Sequence, residues 1–185
     1  MKTAAVAATL LAAAPAALAT SFYGLSARSA SPIHLQSINA AESAFWIGKD
    51  TASYCPESVV ENCPAGNETI FAGGDNTLFL DVAVPGGQQV YIKPNGELTY
   101  TVAHSAYMGE GAISTGFHLN NGTSSSGLGS LSWTNGFVAC PQSNGTSYPY
   151  QIFAAVNGFN RTNCLGFDFL AGTALTGEAG AWQYA

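Results

Sequence analysis

The sequence is poor in charge, and poorest in positive charge. Only 9% of its 185 residues are Asp, Glu, Lys or Arg, and five basic residues stand against eleven acidic ones. Beyond Lys2 the basic residues are Arg28, Lys49, Lys93 and Arg161, each isolated in the sequence. Nucleic-acid binding requires clustered Lys and Arg to neutralise phosphates, so nucleic acid is excluded as a partner. Anionic membrane surfaces are disfavoured for the same reason. There is no CxxC, HxxxH, HExxH or EF-hand spacing, so neither a metal nor any other cofactor is expected. No GxSxG nucleophile elbow occurs. No helical period of any length appears, and glycines at 109, 111 and 116 argue against a helix after Val102. Past the first segment no apolar run is long enough to span a bilayer, so no membrane insertion is expected. The ending "GEAGAWQYA" lacks the hydrophobic tail of a lipid-anchor signal.

The first segment reads as a leader. Lys2 gives a short positive region, "TAAVAATLLAAA" an apolar stretch too short for a membrane helix, and Ala17-Leu18-Ala19 a small-x-small cleavage site. Residues 1–19 are therefore assigned as a signal peptide and residues 20–185 as a single all-β domain, large enough to bury a core.

The clearest architecture lies between Thr77 and Val102. In "TLFLDVAV", Leu78, Leu80, Val82 and Val84 alternate with Phe79, Asp81 and Ala83. "QQVYIK" and "ELTYTV" alternate in the same way, which places one set of side chains inward and the other toward water. Pro85-Gly86-Gly87 and Pro94-Asn95-Gly96 separate these runs as turns, and the whole predicts a three-stranded antiparallel meander. Further strands are expected at Ile33–Asn39, at "SAFWIGK", at "ETIFAG", at "YPYQIFAAV", at "CLGFDFLAG" and at the terminal "AWQYA". "GGDN" (Gly73–Asn76) reads as a turn into the meander, and Asn135-Gly136 as a second hairpin. Many short strands define an antiparallel β-barrel or sandwich, with a β-trefoil as the alternative. The last strand is expected to close the sheet beside the N-terminal one and hide both edges.

Four cysteines in an exported chain imply two disulfides, with three connectivities open. The local pairs Cys55–Cys63 and Cys140–Cys164 are favoured, contributing about 2.5 and 3.5 kcal/mol in the loop-entropy model. Sequons at Asn67, Asn121, Asn144 and Asn160 mark candidate N-glycosylation sites in predicted loops.

No constellation names a reaction. His34 and His118 fall in alternating strand contexts, whereas His104 lies in the loop "VAHSAYMGEG" among polar and aromatic groups. Asp81, Glu97, Glu110 and Asp168 are the carboxylates available for glycosidase chemistry, which needs two of them close together. Asp81 and Glu97 belong to the polar face of the meander, beside Lys93, and Asp168 is simplest as an outward-facing strand residue. Trp46 and Trp182 read as core. Trp133 and Tyr148-Pro149-Tyr150 read as exposed aromatics able to stack on sugar rings. The candidate surface is therefore His104, Tyr107, Glu110 and Trp133.

The stretches "SPIHLQSINAAESAFWIGK", Cys55-Pro56, "GGDNTLFLDVAVPGGQQVYIKPNGELTYTVAHSA" and "CLGFDFLAG…AWQYA" together resemble the PhiA-type cell-wall proteins of filamentous fungi. That group includes IgE-binding allergens and is similar to secreted elicitors of the plant hypersensitive response. The resemblance covers essentially all of residues 20–185 and includes the order of the four cysteines. It implies a secreted, non-enzymatic, cell-wall-associated fungal protein, involved in conidium and phialide development or eliciting plant cell death. A carbohydrate-binding module of the cell wall is the second reading and a small glycoside hydrolase the third. The partners implied are a cell-wall polysaccharide or a host plant receptor, met by a monomer.

The disulfide assignment makes a first prediction. Cys140→Ser lowers the melting temperature more than Cys55→Ser, because it opens the longer loop. Equal losses in thermal melts would count against this pairing.

Overall fold

The computed structural model describes residues 20–122, 127–142, 148–174 and 178–185. The predicted signal peptide and Asn144 lie outside the described residues. Among the described residues there is no helix, and hence none long and apolar enough to cross a membrane. The strands are β1 (Ser21–Ala27), β2 (Gln36–Ala41), β3 (Ala44–Ile47), β4 (Ser53–Tyr54), β5 (Ile70–Leu80), β6 (Gln88–Ile92) and β7 (Leu98–Tyr100). They continue with β8 (Phe117–Asn120), β9 (Leu128–Trp133), β10 (Phe137–Pro141), β11 (Tyr150–Ala154), β12 (Leu165–Thr173) and β13 (Gln183–Tyr184).

Nine of these form a closed antiparallel barrel in the order β1-β2-β3-β11-β10-β12-β9-β8-β5, with β5 returning to β1. The barrel reading therefore holds, and the β-trefoil does not. The meander is present as β5-β6-β7, with Phe79 opposite Gln89 and Val90 opposite Tyr100. Its second turn follows the expected chemistry. Gly96 N–H donates to Lys93 C=O at 2.8 Å, Lys93 N–H donates to Glu97 C=O at 3.0 Å, and Gly96 takes a φ of 89°. This is a three-residue hairpin whose last position needs the left-handed conformation glycine adopts freely.

Four expectations are corrected. First, "GGDN" is not a turn between strands but the middle of β5. Gly73, Gly74 and Asn76 all have positive φ, so the strand bends there rather than ending. Second, Asn135-Gly136 does not make a hairpin. β9 and β10 do not pair with each other but with successive segments of β12, Leu131 opposite Phe169 and Phe137 opposite Phe167. Third, β13 does not join the N-terminal strand. It pairs with β4, and the barrel closes through β1 and β5 instead. Fourth, β2 begins at Gln36 rather than Ile33. Ser26 Oγ donates to Ile33 C=O and Leu35 N–H donates to Ser26 C=O, so the preceding residues fold into a turn that buries Ile33. His34 is in that turn and not on a strand.

β1 is the hub of the closure. One edge pairs with β12 along Phe22–Ala27, while the other is divided, Ser21–Tyr23 to β5 and Leu25–Ser26 to β2. Gly24 sits at the division. A Cβ there would lie 2.5 Å from Cζ of Phe169, so glycine is required for the close approach of that ring. Inside, Phe71 stacks on Phe22 and Phe45 at 5.6 and 5.3 Å and meets Phe169 edge-on at 5.5 Å. Such ring contacts add about 0.5–1.5 kcal/mol each beyond area burial. Both disulfides form as favoured, Cys55–Cys63 and Cys140–Cys164.

The C-terminal segment is held by buried polar groups. The Gln88 amide nitrogen donates to Thr101 C=O at 3.1 Å and Tyr184 C=O at 3.0 Å, and its oxygen accepts from Tyr184 N–H at 2.7 Å. Tyr184 Oη donates to Glu68 C=O and accepts from Ile70 N–H, and Tyr100 Oη donates to Ala185 C=O. Burial pushes both phenols well above the usual tyrosine range.

Gln88→Ala strands three buried backbone groups and should cost about 3 kcal/mol or more, read as a lower urea midpoint at unchanged slope. Alkaline pH acts on the same region. The native state retains the Tyr100 and Tyr184 protons after the unfolded chain has released its own. Stability therefore holds up to about pH 10, the ordinary tyrosine value, and falls as pH rises further. Unfolding midpoints that stay level through that range would show that these phenols are open to solvent.

Candidate functional site

The loop after β7 is fastened at both ends. Thr101 exchanges hydrogen bonds with Gln89, its N–H donating to Gln89 C=O and its hydroxyl accepting from Gln89 N–H. Ile113 exchanges two backbone hydrogen bonds with Ile92 of β6. Between these ties the chain leaves the sheet and exposes Val102 (68%) and Tyr107 (81%), apolar groups that the core does not claim. Ser105 N–H closes a turn onto Val102 C=O, and inside that turn His104 takes a left-handed φ of 64°. Such a conformation costs a non-glycine residue about 1–2 kcal/mol, so the surrounding turn dictates it.

This turn faces the water-facing side of the meander across a groove of about 500 Å³. Alternation places Leu78 and Leu80 in the core and leaves Phe79 38% exposed. Phe79 and its cross-strand partner Gln89 line the groove together with Pro85-Gly86 on one side and His104-Ser105-Ala106 on the other. An aromatic ring and a proline ring supply apolar contact, while an amide, an imidazole and a hydroxyl supply hydrogen bonds. That combination suits a ring-shaped polyol, which has apolar C–H faces and a hydroxylated rim.

The four candidate surface residues are not brought together. His104 lines the groove. Tyr107 and Glu110 are exposed on the same loop but do not line it. Trp133 is only 8% exposed, and its indole N–H donates to Thr115 C=O at 3.1 Å, so it is a core residue and not a sugar platform. Tyr150 is likewise buried, while Tyr148 beside it is exposed. Phe79, Pro85 and Gln89 were missed. The available signal was an aromatic at a water-facing position of a well-patterned strand.

Two of the four candidate carboxylates are engaged by a neighbour. Asp81 accepts from Ser21 Oγ at 2.6 Å, Glu97 pairs with Lys93 at 2.9 Å, and Asp168 faces outward from β12. Neither this groove nor the cleft beside Tyr23 on β1 is lined by two of them. Among the described residues no three His, Cys, Asp or Glu side chains gather as a metal site. Asn67, Asn121 and Asn160 are exposed outside the strands.

The described residues thus define a disulfide-clipped all-β barrel with an aromatic-floored surface groove. The chain belongs to the PhiA-like secreted protein family, whose model matches residues 22–185. It is 38% identical over 155 residues to a protein of Arthroderma benhamiae described as an uncharacterized secreted protein, covering 80% of this chain and 76% of that one. No solved structure matches it.

Proposed function

We propose that this secreted protein is a non-enzymatic component of the fungal cell wall that acts by binding polysaccharide, with the groove between Phe79 and His104 as its site. The observation that carries the reading is the exposed Phe79 ring, set between Pro85 and the His104-Ser105 turn. An aromatic side chain has a favourable place in a core, and one left in water beside hydrogen-bonding groups favours an amphipathic ligand. A groove lined by no carboxylate supports binding over hydrolysis, because glycosidic cleavage needs two of them across one bond. Family membership supports the secreted setting.

The purified chain is incubated with insoluble chitin, β-glucan and plant cell-wall polymers. Retention on at least one polymer without release of reducing sugar is the expected result. Phe79→Ala weakens that retention about tenfold, equivalent to about 1.4 kcal/mol, and His104→Ala weakens it less. Reducing-sugar release would make the protein a hydrolase. Absence of retention together with cell death on leaf infiltration would move the function to recognition by a plant host.

A further inference from the structure

The divided edge of β1 leaves a second cleft, separate from the Phe79 groove. The last β1 residue paired with β5 is Tyr23, opposite Ile70, and the first paired with β2 is Leu25, opposite Ser37. Between these pairs the two partner strands part and open a cleft of about 610 Å³. It is bridged behind by Thr69, a buried residue whose hydroxyl accepts from Ala40 N–H at 2.7 Å and meets Thr51 Oγ1 at 2.9 Å. This side chain substitutes for the backbone ladder that β2 and β5 do not form.

The cleft is amphipathic. Leu25, Ile38 and Ile70 line it with Ser37, Asn39 and Glu68. Tyr23 also lines it, and its ring lies down on the β12 backbone, since a Cβ at Gly172 opposite would fall 2.1 Å from Cζ of that ring. With its position fixed by Gly172, Tyr23 remains 38% exposed. Asn67, which is exposed, is also among the lining residues. It opens the sequon Asn67-Glu68-Thr69, and it stands three residues from Ile70, at most about 10 Å along the chain.

We propose that this cleft is the seat of the chain's own Asn67-linked glycan. The sequon at the rim specifies the occupant, because a glycan added to Asn67 is tethered beside the cleft. Its first sugars are N-acetylhexosamines, which offer a C–H face and an acetyl methyl to Tyr23 and Leu25, the accessible apolar groups of the lining. Their amide and hydroxyl groups meet Ser37, Asn39 and Glu68. Because the sugar is tethered, its docking loses little translational freedom, and a modest contact suffices to hold it. The glycan then covers apolar surface where the sheet divides, so its effect is on the folded state of the barrel. This holds whether or not the Phe79 groove binds polysaccharide.

The test uses the chain secreted from a eukaryotic host that adds N-linked glycans. Mass spectrometry of the peptide containing Asn67 is expected to show occupancy. Asn67→Gln, a change at an exposed position, lowers the melting temperature by about 2–4 °C. The same substitution made together with Tyr23→Ala produces no further loss beyond Tyr23→Ala alone, because the sugar has lost its platform. If Tyr23→Ala does not fold, Tyr23→Leu keeps an apolar cover on Gly172 without the ring and serves in its place. An unoccupied Asn67 overturns the proposal. So does a melting shift for Asn67→Gln that is absent, or that is the same with and without Tyr23.

Discussion

Neighbours in an antiparallel ring alternate in direction, so a ring of straight strands closes only with an even number. This barrel closes with nine. The conflict is resolved by strands that bend and share their edges among several partners. β5 bends at Gly73, Gly74 and Asn76, pairing with β1 before the bend, with β8 at it and with β6 after it. β1 gives one edge to β12 and splits the other between β5 and β2. β12 takes β10 and then β9 along its length. The aromatic packing, the Thr69 bridge and the cleft beside β1 follow from these shared edges.

The packing follows first. Where β1 divides, Gly24 lets Phe169 come close to the backbone, and Phe169 meets Phe71, the ring that also holds Phe22 and Phe45. Those rings belong to β1, β3, β5 and β12, so one aromatic cluster ties together strands that are distant in sequence. The polar side follows too. With β2 and β5 parted, Ala40 N–H would be a buried orphan without the Thr69 hydroxyl, and burying an unpaired donor costs about 1–3 kcal/mol. Gln88 and Tyr184 do the same where the C-terminal segment crosses the barrel, turning backbone groups that lack a ladder into paired ones.

What could be read from the sequence was local. Period two, the Pro-Asn-Gly turn and paired cysteines act over a few residues, and the meander and both disulfides came through. The misreadings concern partners. Gly73-Gly74-Asp75-Asn76 and Asn135-Gly136 have turn chemistry, and they do interrupt straight backbone, but only long-range pairing decides whether an interruption ends a strand or bends it. Trp133 illustrates the same limit. Its place beside a turn suggested exposure, yet that turn carries the chain from β9 to β10 along β12, so the indole is covered and its N–H finds Thr115. The candidate site was half legible, because His104 stood out as a loop histidine while Phe79 was hidden in a regular pattern. Alternation alone assigns Phe79 to the water-facing side, and the proximity of the His104 turn is a tertiary fact.

The same geometry leaves the surface as the place for the proposed binding. In larger barrels the interior can hold a ligand, but here large side chains from facing strands fill it. Recognition then needs places where the outer face stops being a continuous ladder of paired strands. The shared edges create such a place at the division of β1. The other arises where the chain leaves β7 and returns to β6 at Ile113, so that the His104 turn stands over Phe79. At the first the Tyr23 ring lies against Gly172, and at the second the Phe79 ring stands beside its cross-strand partner Gln89. A ring held in place by the sheet loses little freedom on contact, so a rigid scaffold with shallow grooves can still discriminate between ligands.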